Sequence, residues 1–209
     1  MQQSDQEKRE LFDRIIEGRE KVIIEIGCGD KKKVQGSIGI DRVPLPGVDV
    51  VHDLESGLSF IPDSSVDEIS SSHVLEHVAE LEFLMKEIHR VLKKDGIHKV
   101  TVPHFSNPHY YSDFTHKRFF GLYTFEYFSK TTDQKLNRKV HDFYVNFHFR
   151  VTHRQFNFKR NLSPRNIINI LIASPLFNAS DYMKELYEDK FTYMFPCREM
   201  YYEMTPVKD

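Results

Sequence analysis

Residues 21–30 read Lys-Val-Ile-Ile-Glu-Ile-Gly-Cys-Gly-Asp. A β-branched apolar run carrying one acid breaks into two glycines separated by a single residue. Such a run predicts a buried strand. The glycines let the chain turn with positive φ and let a ligand lie against bare backbone. The dinucleotide pattern Gly-X-Gly-X-X-Gly is incomplete, because Lys32 stands where the third glycine belongs. That glycine permits close helix–strand packing beneath a pyrophosphate. Its replacement points away from NAD or FAD and toward a nucleoside-like ligand without phosphates, bound at the carboxyl end of a parallel strand.

The rest of the chain supports that setting. Ser4 and Glu7 make a capping-box pattern, and Leu11, Phe12, Ile15 and Ile16 follow at helical spacing as far as Gly18. Strands are expected at 21–26, 37–41, 48–52 and 66–71. An amphipathic helix is expected at 80–94, closed by Gly96, with another strand at 97–102 stopped by Pro103. Residues 30–36 leave room for one or two helical turns at most. This order implies an α/β fold with a mainly parallel sheet flanked by helices. Further on, a short helix is expected near 122–128, and apolar residues alternate with polar ones over 142–159, the mark of a bent extended strand. A short helix is expected at 164–172 and a final strand at 198–204. Lacking a crossover before it, that last strand pairs antiparallel most easily.

The 209 residues suit a single domain. It divides into an N-terminal helix (1–19), a cofactor-binding core (20–102) and an acceptor loop with C-terminal strands (103–209). The formal charge is −2, so no global field draws in nucleic acid or an anionic membrane. No apolar stretch nears the roughly 20 residues of a membrane span. The N-terminus has no apolar core of a signal peptide, and Cys28 and Cys197 make no disulfide framework, so the cytoplasm is the expected location. Of the 27 Phe and Tyr residues, 16 fall between Phe105 and Phe158, which marks a ring-lined second half. A basic stretch (Arg150, His153, Arg154, Lys159, Arg160, Arg165) interleaved with Phe156 and Phe158 could stack bases. With the overall charge balanced, nucleic acid is not the expected partner.

Several pieces in fixed order carry a resemblance: Glu25-Ile26-Gly27-Cys28-Gly29, Gly39-Ile40-Asp41, His52-Asp53-Leu54, Val66-Asp67-Glu68-Ile69, His73 to Val78 and Glu87 to Lys93. Together they resemble a class I S-adenosylmethionine-dependent methyltransferase, over roughly residues 20–130. The resemblance implies a Rossmann-like methyltransferase fold with an antiparallel last strand, and S-adenosyl-L-methionine as cofactor. It also implies roles. Asp41 accepts the ribose hydroxyls, and Asp53 with the Leu54 amide grips the adenine edge. Gly27 and Gly29 make room for the methionine portion. Glu25 holds its amine or locks the loop. Ser72 and His73 face the same crevice.

The loop after the fifth expected strand holds three histidines, one aspartate, two cations and six rings between His104 and Phe120. Its Asp-X-Thr-His-Lys-Arg-Phe-Phe stretch resembles a subgroup of small methyltransferases, some of which act on sugars or glycans. A hydroxyl acceptor needs a base, and histidine suits that near neutral pH. His116 with Asp113 as its orienting carboxylate is one candidate, and His104 is another. Asp113 and His116 with His104 or His109 could instead hold a divalent ion. Lacking a carboxylate pair, they leave the metal unassigned. Lys117 and Arg118 could grip an anionic acceptor. The expected partner is a small-molecule or glycan acceptor, and the chain can equally be one module of a larger polypeptide.

Overall fold

The computed structural model describes residues 4–158 and 169–208. Helix α1 (Asp5–Ile16) opens on a complete capping box, with Ser4 Oγ accepting from Glu7 N–H and the Glu7 carboxylate accepting from Ser4 N–H at 2.7 Å. It seats Phe12, fully buried, edge-on to Phe60 at 6.2 Å between ring centroids. Strands β1 (Ile23–Ile26), β2 (Ile38–Asp41), β3 (Val50–Val51), β4 (Val66–Ser72) and β5 (Leu92–Pro103) pair in parallel, in the spatial order β3-β2-β1-β4-β5.

Helix α2 (Leu81–Val91) lies between β4 and β5. It buries Leu84, Met85, Ile88 and Val91 completely, each contributing about 1.5–3 kcal/mol. The helix ends three residues before the expected Lys94, because Leu92 turns to extended backbone and pairs with Val66. Between Leu92 and Ile97 the strand bulges out of register and resumes opposite Glu68. Gly96 therefore sits in a bulge and does not terminate the helix. Residues 30–36 form turns and bends only, so the first crossover contains no helix.

The second half adds β6 (His148–Asn157) and β7 (Glu199–Val207), which extend the order to β5-β7-β6. The strand β7 is antiparallel to both neighbours, so it alone runs against the body and β6 is the edge. Every second residue of β7 is buried, among them Met200, Tyr202 and Met204. A 3₁₀ turn at Thr124–Phe128 stands where a short helix was expected. Residues 159–163 and most of the helix expected at 164–172 lie outside the described residues. Two short helices with no clear periodic signal follow: α3 (Ser174–Asn178) and α4 (Asp181–Leu186), the latter capped by Ser180 Oγ. They cover a ring cluster of Phe156, Phe158, Phe177 and Tyr187. No described helix is long and apolar enough to cross a membrane.

Among the described residues of the basic stretch no base-stacking face forms, and Lys159, Arg160 and Arg165 lie outside the described residues. Phe156 and Phe158 are each 1% exposed. Arg154 is buried against Glu126 at 2.7 Å, and Arg150 pairs with Asp133. Burial raises the Glu126 pKa, and the Arg154 charge opposes that rise. Removing one partner of such a pair leaves a buried charge, so Arg154→Met should cost about 3–5 kcal/mol in urea unfolding. The double change with Glu126→Leu should recover most of the loss.

His98, fully buried beneath Ser71 Oγ at 3.0 Å, has its pKa pushed down to about 3 by burial. Its neutral form is favoured in the native state only. The stability tied to it is therefore complete above the unfolded value near 6.5 and falls as the pH drops below that. At pH 5 the loss should reach about 2 kcal/mol. Unfolding curves of His98→Leu should lose that part of the pH dependence.

Candidate active site

The parallel strands end side by side, and a cavity of about 390 Å³ opens beyond their carboxyl ends, within the roughly 300–1,000 Å³ of small-molecule sites. The order β2-β1-β4 makes this the switch point of the sheet, where ligands of open α/β folds bind. Gly27, Asp41, His52, Asp53 and Leu54 form one wall. His73, Val74, His77 and Val78, with Thr115 and Lys117, form the other.

Gly27 has φ of 64°, and a Cβ there would meet the Val74 side chain at 2.5 Å. The turn therefore requires glycine on both conformational and steric grounds. Gly29 (φ 62°) does not line the cavity; its N–H donates to Asp41 Oδ2 at 3.0 Å. Asp41 Oδ1 accepts from Val43 N–H at 3.1 Å, so the carboxylate is fixed at the strand end before any ligand arrives. Asp53 caps the 3₁₀ turn at Leu54–Ser56 through one oxygen.

Glu25 takes the second of its two expected parts. It is 3% exposed and accepts from Lys33 N–H at 3.0 and 2.9 Å, from Val34 N–H at 3.0 Å and from Ser37 Oγ at 3.3 Å. It locks the loop and lines no part of the cavity. Ser72 is also outside the lining, where its Oγ accepts from Lys33 Nζ at 2.8 Å. His52, absent from the expected set, lines the cavity. Lys8 Nζ at 3.0 Å donates to its Nδ1, and its Nε2–H donates to Gly57 O at 2.6 Å. Burial lowers its pKa, so the ring is neutral.

His73 holds φ of 56°, in the left-handed region uncommon outside glycine. Its Nε2 lies 2.8 Å from Glu199 of β7 and its Nδ1 3.3 Å from Glu76. Hydrogen bonds to these two carboxylates raise its pKa to about 9, which keeps it cationic at neutral pH. The Glu199 contact spans 126 positions, and no local pattern signals it.

The acceptor loop reaches back over the cavity and is pinned there. Arg118 Nε donates to Val78 O at 3.0 Å, with a second guanidinium bond to Ala79 O. Lys117 N–H donates to Glu76 O at 2.7 Å, and its Nζ pairs with Glu55 at 3.2 Å. Both expected acceptor-gripping cations thus dock the loop. Thr115 Oγ1 donates to Asp113 Oδ1 at 2.5 Å and accepts from His77 Nδ1 at 2.9 Å. His116 sits behind, its ring edge-on to His77 at 4.8 Å, with Nδ1 donating to Tyr110 O at 3.0 Å and Nε2 3.6 Å from Asp113 Oδ2.

His104 is placed elsewhere. It is fully buried, with Nδ1 bonded to Ser106 and Nε2 3.4 Å from Glu188. It stabilises the strand end and does not reach the cavity. His77, absent from the expected set, also lines the cavity, and the signal for it was a second histidine in the His73-X-X-Glu76-His77 run.

Comparison with known proteins agrees with this geometry. A family described as "Methyltransferase domain" matches residues 38–100, from β2 into β5. No curated protein matches the chain. Among solved structures, a SAM-dependent methyltransferase from Archaeoglobus fulgidus shares 17% identity over 97% of this chain and 94% of its own, with a TM-score of 0.50. The YcgJ protein of Bacillus subtilis shares 14% over 98% and 99%, with a TM-score of 0.52. A Thermotoga maritima SAM-dependent methyltransferase, named a possible histamine N-methyltransferase, shares 16% over 98% and 90%, with a TM-score of 0.50. The fold is the Rossmann-like fold of these methyltransferases. The matched segment is similar to a methyltransferase domain, and the Archaeoglobus and Thermotoga neighbours are named for S-adenosylmethionine as methyl donor.

The residues present fit that donor: bare backbone at Gly27, a fixed carboxylate at the end of β2, and the Asp53–Leu54 step beyond β3. Asp41→Ala should weaken S-adenosylhomocysteine binding by on the order of 1–3 kcal/mol in calorimetry. Unchanged affinity would remove Asp41 from the site. Gly27→Ala should lower the melting temperature as well, since it strains the turn and presses on Val74.

Proposed function

We propose that this protein methylates a hydroxyl of a small polar acceptor, a sugar being the best-matched class, within a single methyltransferase unit over residues 1–209. One observation carries the reading. A single cavity joins a nucleoside-type wall (Gly27, Asp41, Asp53, Leu54) to a polar, histidine-rich wall (His73, His77, Thr115, Lys117). When bound, S-adenosylmethionine supplies a methyl group activated by its sulfonium.

The reaction is an in-line displacement: the acceptor oxygen forms the new C–O bond as the C–S bond breaks, sulfur keeps the electron pair, and the acceptor proton leaves. Alignment supplies much of the rate. The rigid turn at Gly27 and the pinned loop at 115–118 hold the two reactants facing each other. His73 offers a fixed positive charge to a carboxylate or an anionic acceptor. The acceptor proton leaves through the imidazole pair of His77 and His116, with Asp113 as the orienting carboxylate acting through Thr115. His104, buried away from the cavity, keeps a structural part.

Of the rings that could face sugar C–H groups, Tyr110 and Phe120 are buried, whereas Tyr111, Phe114 and Phe119 are exposed. An amine acceptor is the second reading, favoured by the name of the Thermotoga neighbour; its nitrogen lone pair needs the base less.

The test is turnover with methyl-labelled cofactor against a panel of sugar hydroxyls and small amines, read by product mass. His77→Gln should slow methylation of a hydroxyl by about 10²-fold or more, while S-adenosylhomocysteine binds as in the parent protein. A rate equal to the parent's would remove His77 from the chemistry. Label appearing on amines alone would favour the second reading.

A further inference from the structure

One ligand atom from each of Glu76, His77 and His116 lies within 4.8 Å of the others. The surroundings of these three side chains are unusual for a purely structural cluster. Glu76 is 1% exposed; Oε1 faces His73, while Oε2 is buried with no hydrogen-bond partner. A buried carboxylate oxygen left this way costs free energy unless a hydrogen-bond donor or a cation meets it.

The two rings are already set as ligands. Thr115 Oγ1 gives its proton to Asp113, so it can only accept from His77, which puts the hydrogen of His77 on Nδ1. Tyr110 O can only accept, which puts the hydrogen of His116 on Nδ1 as well. In the neutral rings this leaves both Nε2 atoms as lone pairs. Metal-bound histidines show this same arrangement, the other ring N–H being held by an oxygen acceptor. The His116 Nε2 lone pair also faces Asp113 Oδ2 at 3.6 Å. A cation shared by these two atoms, whether a proton on the ring or a metal ion, holds them together.

We propose that Glu76, His77 and His116 bind a divalent first-row transition ion, with Asp113 at its edge. Two imidazoles and one carboxylate select ions of the zinc and ferrous class over magnesium or calcium. Ligand atoms of a tetrahedral ion at bond lengths of about 2.0–2.1 Å stand about 3.3 Å apart. Seating the ion therefore draws the three side chains together by about an ångström or more. Such a site keeps an open position, as catalytic sites with three protein ligands do.

His77 lines the cavity, so the open position is within reach of an acceptor. This catalytic consequence rests on reading the cavity as the transfer site, whereas binding of the ion does not. With the ion in place, the acceptor hydroxyl coordinates it and its pKa falls. The O–H bond then breaks with the proton passing to solvent, and the coordinated oxygen carries the lone pair that attacks the methyl carbon. The imidazoles serve as ligands in that state.

The test uses the full chain, stripped with a chelator and titrated with Co²⁺ alone. Binding of one equivalent should give the visible d–d bands of a four- or five-coordinate site, and Zn²⁺ should bleach them. His77→Gln and His116→Gln should each weaken binding by roughly 10–100-fold or more, and Glu76→Gln should also weaken it. His141→Gln, an exposed control, should leave it intact. The proposal is overturned if the parent protein shows no d–d bands, or if both histidine variants bind Co²⁺ as the parent does. S-adenosylhomocysteine calorimetry on the same preparations separates the two readings. Nucleoside binding without cobalt bands removes the ion and leaves the transferase reading. Cobalt bands without nucleoside binding do the reverse.

Discussion

The buried carboxylate of Glu25 is the constraint on which the cavity depends. Two parallel neighbours need a crossover, usually a helix of a dozen or more residues. Only residues 27–37 separate β1 from β2, and they contain no helix. Glu25 replaces the missing helix by gathering the N–H groups of Lys33 and Val34 and the Ser37 hydroxyl onto one side chain. Donors of a chain that could not otherwise be satisfied near the core are met there. With that loop tied down, β2 can run beside β1, and Asp41 arrives at the strand end next to Gly27.

The opposite wall is assembled from distant parts. His73 is held by Glu76 from the same turn and by Glu199 from β7. The 115–118 loop is fixed by main-chain carbonyls of 76–79 and by Glu55. Glu55 in turn accepts from Ala79 N–H at 2.7 Å. One carboxylate thus joins the segment after β3, the turn after β4 and the acceptor loop. The cation pair in that loop, attractive as a grip for an anion, serves to close the wall.

Much of the fold was legible because it rests on local signals. The glycine pair, the capping box of α1, the apolar face of α2 and the alternation of β6 and β7 are all short-range patterns. The strand ends carrying Asp41, Asp53 and His73 followed from them. What was not legible depends on contacts far apart in the chain. Nothing near Glu199 marks it as the partner of His73, and nothing near Arg154 marks it as buried against Glu126. Gly96 resembles a helix stop, yet the pairing of Leu92 with Val66 ends the helix earlier. The short helices α3 and α4 lack the length at which periodicity can be read. His104 and His116 looked alike by residue type. Their separation, one under the ring cluster and one beside His77, is set by the path of the pinned loop.

The placement of β7 has an effect on how the molecule comes into being. The strand sits between β5 and β6, yet it is made after both of them. While the chain is still emerging from a ribosome, β5 presents an unpaired border and β6 has no neighbour to lie on. The clamp on His73 is also unfinished until Glu199 appears. A nascent chain therefore gains the Gly27, Asp41 and Asp53 wall first, and the His73 wall is completed only when residues 199–207 slide into the gap.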